Sequence, residues 1–576
     1  MNPKRWILRE QDSDAVASLA RVLDTSPIVA ALLISRGCAD ERSARIFLEP
    51  AYEHLHEPRL MLGMTESVSR LRKAIETKER ILIYGDYDVD GTTGTAVLLR
   101  ALKLLGASVG YHVPHRFTEG YGIQQPALEK AFAEGYSLVI SVDCGIRAHE
   151  PLHWAREHNL DVIITDHHLP DEGSGVPPAY AVLNPNQPGC SYPDKNLAGV
   201  GVAFKLIHAL FREYERESQV SAFLKVVAIG TVADVAMLNG ENRTIVALGL
   251  KDLCRTNNPG LQALMEVAGC GDGKGMTAYD LGFRIGPRIN AAGRMDAAKA
   301  VVELFDTRDR QEAQRLAEHL DTRNRERKEV QQQIIDLAIA ELEDPARESG
   351  QSHVVVIEGK GWHRGVIGIA ASKIAERVNR PCVVLSVEDD VAHGSGRSIE
   401  PYHLLNGLTA CADLFVKFGG HSHAAGITIR PERISEFRRR LNDHAAACLT
   451  AEDLQPSLCI DAELPTQEIT FELIKELEAL EPYGAGNPRP VFVAKDLRIV
   501  SEPRLLGEKH LKMHVCGPKG RPLETVWWNG AESEQTIAVT NGITMAYTIE
   551  ANRWGGETFL QLSVQDIRPA HKAVSC

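Results

Sequence analysis

The chain has 576 residues, a formal net charge of −13 with histidine neutral, and a composition that is 44% hydrophobic, 24% charged and 6% aromatic. At a prior of about 150 residues per domain this is an ordinary globular protein of roughly three or four domains, which excludes collagenous, disordered and disulfide-stapled classes. The acidic balance weighs against non-specific duplex binding, which needs surplus Lys and Arg, but leaves room for a local basic groove.

Met1–Glu10 mixes Lys4, Arg5 and Arg9 with few apolar residues, so no signal-peptide core is expected. The apolar run 226–238 is too short for a membrane span and carries Asp234. Eleven scattered cysteines include no Cys-x-x-Cys pair. That argues against structural zinc and for a reduced, cytoplasmic setting with no membrane contact. Residues 1–75 read as a helical or irregular extension.

A first α/β domain spans 76–308. Ile81–Tyr84, Leu138–Val142 and Val162–Thr165 read as buried strands, and Thr95–Leu105 as a helix. These strands run into Asp86, Asp143 and Asp166, and open α/β sheets bind ligands beyond the carboxyl ends of their strands. Residues 309–345, free of Gly and rich in Gln, Arg, Glu and Lys, predict a long connecting helix, partly solvated in its middle. A second α/β domain covers 346–450. Short β segments over 456–576 predict an OB-like barrel. The expected fold class is therefore α/β, with two α/β domains flanking a cleft plus a carboxyl-terminal β-barrel.

Asp86, Asp88 and Asp90 alternate in Gly85-Asp-Tyr-Asp-Val-Asp-Gly91, directly after a strand. Three carboxylates on one side of the backbone repel unless a cation compensates them. An EF-hand also begins Asp-x-Asp-x-Asp-Gly, but its twelfth position here is Val97 instead of the bidentate Glu, and a strand precedes the motif. Asp143, then Asp166-His167-His168, then Asp234 inside an apolar run add ligands at further strand ends and in a buried segment. Several Asp with one or two His suit Mn²⁺ or Mg²⁺ better than zinc or copper. Two such ions sharing a carboxylate would activate water and stabilise both oxygens exchanged at phosphorus.

Asp166-His167-His168 after the Gly85–Gly91 motif and Asp143 resembles the DHH phosphoesterase superfamily, and Gly419-Gly-His-Ser-His-Ala-Ala-Gly426 resembles its DHHA1 companion. With Arg284–Arg294 and Glu481-Pro-Tyr-Gly-Ala-Gly-Asn-Pro488, the whole chain is similar to the bacterial RecJ family of single-strand-specific 5′→3′ exonucleases. The resemblance implies that Asp88 and Asp90 hold one divalent cation each, Asp143 bridges them, and His167 and Asp234 complete the second site. Asp86 would bind metal directly or through water, while Asp166 and His168 orient the ligands and meet the scissile phosphate. Arg288, Asn290, Arg294, Arg364, Ser395, Arg397, His421 and His423 would grip the nucleic-acid backbone. Trp527, Trp528 and Trp554 are candidates for base stacking, with core packing expected for at least one of them. The resemblance also implies release of mononucleotides from single-stranded DNA in recombination and repair, by a monomer working with single-stranded-DNA-binding protein and recombination helicases. The alternatives are a phosphodiesterase of the same superfamily acting on short oligonucleotides or cyclic dinucleotides, and a non-catalytic single-stranded-DNA-binding scaffold.

Overall fold

The computed structural model describes residues 4–171, 173–270, 275–295, 297–343, 352–531, 542–554 and 557–569. Its first sheet is wholly parallel, in the order Ser108–His112, Arg80–Tyr84, Leu138–Val142, Asp161–Thr165, Ala181–Leu183. The chain leaves the interior strand Arg80–Tyr84 toward one edge and returns to build toward the other. The resulting switch point lies between Arg80–Tyr84 and Leu138–Val142, whose carboxyl ends carry Asp86 and Asp143. Both faces of the sheet are covered, one by Ile81, Ile83 and Ile140 against helices that include Val89–Leu104 and Gly199–Glu213. The other face packs Leu82, Val139 and Val162 under Leu128 and Leu152. Burial on both sides explains why these strands read as continuous apolar runs.

The connecting helix spans Arg310–Glu343. Its polar middle is not simply wet: Asn324 and Arg327 are 1% and 8% exposed, and Asp321 one turn earlier meets Arg288 at 2.9 Å. These three share one helix face by their spacing of three, and that face turns inward. The second sheet is mixed, with Val355–Lys360 parallel to Cys382–Val387, followed by antiparallel Ala392–Arg397, Ala424–Ile429 and Phe415–Gly420.

The carboxyl-terminal strands form a sheet that closes on itself, because Phe492–Ile499 pairs with Ile543–Trp554 on one side and with His510–Cys516 on the other. The amino-terminal helices Ser13–Leu23, Pro27–Ser35 and Glu41–Leu48 share one core with this barrel. Leu19, Leu32, Leu33 and Phe47 lie in the same apolar cluster as Leu473, Phe492, Leu511 and Tyr547. Among the described residues no single helix is long and apolar enough to cross a membrane.

Leu33 is completely buried in that shared core. Leu33→Ala should cost about 3 kcal/mol, read as faster hydrogen exchange along the barrel strand Phe492–Ile499 as well as in the helix itself. Unchanged exchange in the strand would show that the helices and the barrel are separate bodies.

Candidate metal centre and nucleic-acid cleft

The acidic turn after the first strand is folded back on itself. A Cβ at Gly91 would sit 2.6 Å from the Cβ of Asp86 and 2.7 Å from its backbone nitrogen, so only glycine fits there. Asp88 caps the helix Val89–Leu104 and accepts the Gly91 N–H at 3.0 Å. Asn290 reaches the same helix start, with its Oδ1 accepting the Val89 N–H at 3.1 Å.

Asp90 is fully buried, and its two oxygens accept the first N–H groups of the helix Gly199–Glu213, from Gly199 at 2.6 Å and Val200 at 2.7 Å. A helix amino terminus stabilises an anion. Gly199 also allows Asp143 to approach, since a Cβ there would lie 2.6 Å from Asp143 Oδ1. Asp143 itself sits at φ +62, a left-handed conformation uncommon for a non-glycine residue, and Val235, next to Asp234, sits at φ +61. For a β-branched residue that is real strain, and it borders the site.

Three groups of ligand atoms converge, each within 4.8 Å of one another: Asp86, Asp88 and Asp143; Asp90, His167 and Asp234; and Asp143, His167 and His168. His167 Nε2 lies 3.2 Å from Asp143 Oδ1 and 3.8 Å from Asp90 Oδ2, which joins the groups into one site. Asp166 does a different job. Its Oδ2 accepts the Ile146 N–H at 2.9 Å, and its Oδ1 accepts the His167 N–H at 2.7 Å and pairs with His168 Nδ1 at 2.7 Å.

Burial, then the charge on Asp88, pushes Asp86 up to about 8 and Asp90 to about 7. Burial followed by Asp90 and Asp88 drives both Asp143 and Asp234 well above the ordinary carboxylate value. Burial and the neighbouring His168 lower His167 to about 4, so its imidazole is neutral and free to ligate. Burial alone would also lower His168, but its bond to Asp166 and that charge outweigh the effect and raise it. Among the described residues, the buried oxygens Asp86 Oδ1 and Asp143 Oδ1 have no hydrogen-bond partner. Orphaned oxygens of this kind, in an all-Asp and His donor set, fit hard divalent cations.

A cavity of about 310 Å³ opens over these acids, lined by Asp86, Asp88 and Asp234 together with Arg116, Asn290 and Arg294. Arg294 donates to the Gly365 carbonyl at 2.8 Å, and burial, then the charges of Arg116, Arg327 and Arg397, lowers it to about 10. It remains charged at neutral pH. Arg397 donates to Ser395 Oγ at 3.1 Å, and burial and Arg116 lower it in the same way. His421, exposed like His423, is lowered by burial, then by His423, Arg397 and Arg147.

One of the expected phosphate contacts stands apart from this cluster. Arg288 spends its guanidinium on Asp321 and on the Arg284 and Val267 carbonyls, so its donors are used inside the protein. Arg364 is 44% exposed and 4.0 Å from Glu388. In the barrel, Trp527 packs against the core while Trp528 is 46% exposed beside His510. The side chain of Trp554 lies outside the described residues. Sequence reasoning did not single out Gly199, Arg116 or Arg327. The only local signal was the Ala198-Gly-Val-Gly-Val202 opening of an amphipathic helix, which reads equally well as packing.

The sequence is 40% identical over 566 residues to the single-stranded-DNA-specific exonuclease RecJ of Bacillus subtilis, covering 98% of this chain and 70% of that protein. The chain belongs to the RecJ family. The Escherichia coli RecJ exonuclease is 36% identical, with 98% of this chain and 99% of that protein covered. Models of the DHH family amino-terminal domain, the DHHA1 domain and the RecJ OB domain match residues 80–231, 350–447 and 460–566. The crystal structure of RecJ with Mn²⁺ from Thermus thermophilus superposes with a TM-score of 0.83 at 29% identity, over 98% of this chain and 79% of that one.

The raised carboxylates hold protons that a cation must displace. Calorimetric Mn²⁺ titrations in buffers of different ionisation enthalpy should therefore show proton release at pH 6 that declines as pH rises through about 7 to 8. Because these pKa values are raised, the stability they contribute to the metal-free fold is present below the unfolded value of 3.8 and lost as pH rises from there to about 7 to 8. Proton release independent of pH would contradict the shifts.

Proposed function

We propose that this chain is a divalent-cation-dependent exonuclease that hydrolyses phosphodiester bonds of single-stranded DNA from the 5′ end. The observation that carries the reading is the convergence of two ligand groups, Asp86/Asp88/Asp143 and Asp90/His167/Asp234, beside a cavity that Arg116 and Arg294 also line, with Arg397 close to Arg294. The cations are Mn²⁺ or Mg²⁺, held by Asp88, Asp90, Asp143, His167 and Asp234, with Asp86 contributing to the first group. When bound, they supply Lewis acidity that activates water and stabilises charge on the exchanged oxygens.

The chain's own groups do the rest. Arg294, Arg397 and Arg116, with Ser395, present planar donors suited to a phosphate. Asp166 fixes the backbone at His167 and keeps the His168 ring turned, and its charge raises the affinity of that ring for a proton. The Gly199 helix holds Asp90 from behind. The barrel, with Trp528 exposed, suits a polymer over a dinucleotide. The finer reading is of a monomer in the cytoplasm, working with single-stranded-DNA-binding protein and recombination helicases. The free thiols of all ten described cysteines support a reducing compartment.

On 5′- and 3′-labelled single strands with Mg²⁺, Mn²⁺ or chelator, label should leave the 5′ end first as mononucleotide and only with metal. Loss from the 3′ end first would refute the polarity. Asp143→Ala should abolish hydrolysis while leaving strand binding largely intact, and wild-type turnover would refute its bridging role. Arg397→Ala should weaken strand binding and flatten its dependence on salt by about one unit of slope; an unchanged slope would place Arg397 in the structure alone.

A further inference from the structure

The sequence Glu481-Pro-Tyr-Gly-Ala-Gly-Asn-Pro488 takes no part in the chemistry above, yet its carbonyls and glycines meet the loop that carries Asp234. Asp234 ends the helix Leu224–Ala233, and the chain then passes through strained Val235 to Leu238. Val235 and Met237 are 70% and 43% exposed, so their own burial does not fix this loop. Leu238, 1% exposed, donates its backbone N–H to the Ala485 carbonyl at 2.6 Å, a bond between domains. A Cβ at Gly484 would lie 2.6 Å from Leu238 Cδ1, and one at Gly486 would lie 2.9 Å from Met237 Cε. The two glycines therefore let the turn close onto the loop.

The turn is rigid from its other side. Asn487 is fully buried and donates to the Leu480 and Pro482 carbonyls at 2.8 and 2.9 Å. Arg36, from the amino-terminal helices, donates to Asn487 Oδ1 at 2.5 Å and to the Pro488 carbonyl at 2.9 Å. Arg243, 1% exposed, stacks 3.6 Å above the Phe47 ring and donates to the Phe47, Ala479, Glu481 and Pro482 carbonyls. Among the described residues no carboxylate lies within ion-pair distance of it. Burying a cation on neutral carbonyls is costly, and an apolar side chain would be cheaper if only filling were needed. What Arg243 provides is a planar fork that fixes several carbonyls at once. It stands two residues after Glu241, whose buried pairing with Lys205 at 2.7 Å locks the same helix to the helix that holds Asp90.

We propose that the turn Leu480–Pro488, held by Arg243 and Asn487, is a positioning element for Asp234, so that the carboxyl-terminal domain sets the geometry of the second cation site as well as binding DNA. A mere tether between domains would not need glycines pressed onto Leu238 and Met237, nor a backbone bond four residues from the ligand. The inference rests on the assignment of Asp234 as a ligand.

The test is Mn²⁺ titration of the full chain by calorimetry, with electron paramagnetic resonance of the bound ions. In Gly484→Ala the second ion should bind about tenfold more weakly while the first is unchanged, and shortening the opposing side chain in Gly484→Ala/Leu238→Val should restore it. Arg243→Lys, which keeps the charge and loses the fork, should weaken the same ion. Unchanged second-ion affinity in Gly484→Ala, where Asp234→Asn removes that ion, overturns the positioning role alone. A loss that Leu238→Val does not restore assigns the effect to general damage and also overturns it. Two ions still bound in Asp234→Asn would instead overturn the ligand assignment beneath it.

Discussion

Buried like charges at the ends of parallel strands dominate this molecule. Two carboxylates about 4 Å apart repel by about 4 kcal/mol at an effective dielectric constant of 20. Several such pairs together would rival the whole stability of a domain, about 5–15 kcal/mol. Helix amino termini at Asp88 and Asp90 offset part of this, and shared protons offset more in the metal-free protein. Among the described residues, Asp86 Oδ1 and Asp143 Oδ1 still lack hydrogen-bond partners. The strained turns at Asp143 and Val235, and the glycines at 91 and 199, all hold acids where the chain alone would not leave them.

Arginines line the same cavity. Arg294 and Arg397 sit near Arg116, and each is lowered by burial and by its cationic neighbours. A cavity with cationic and anionic walls suits a ligand that is negative on one side and is reached through cations on the other. A phosphodiester backbone between the two α/β domains meets both demands.

Much of this was legible in the sequence because it is local. Buried parallel strands read as unbroken apolar runs, so the three that end at Asp86, Asp143 and Asp166 stood out with their acids. The placement of the arginines was harder to read. Arg288, Asn290 and Arg294 look alike in a basic segment, but of these three, on the helix Gly286–Arg294, only Asn290 and Arg294, four apart, line the cavity. Arg288 turns to the connecting helix. Adjacent Trp527 and Trp528 likewise split between core and solvent, as alternation around a strand end requires. The Gly199 amides and Arg116, and the union of the amino-terminal helices with the barrel, depend on contacts distant in sequence, which no window along the chain reveals.

Anomalous diffraction from crystals grown with Mn²⁺ tests the central claim most directly. Two peaks are expected, one among Asp86, Asp88 and Asp143 and the other among Asp90, His167 and Asp234. A single peak elsewhere, or none at full occupancy of the solution sites, would contradict it.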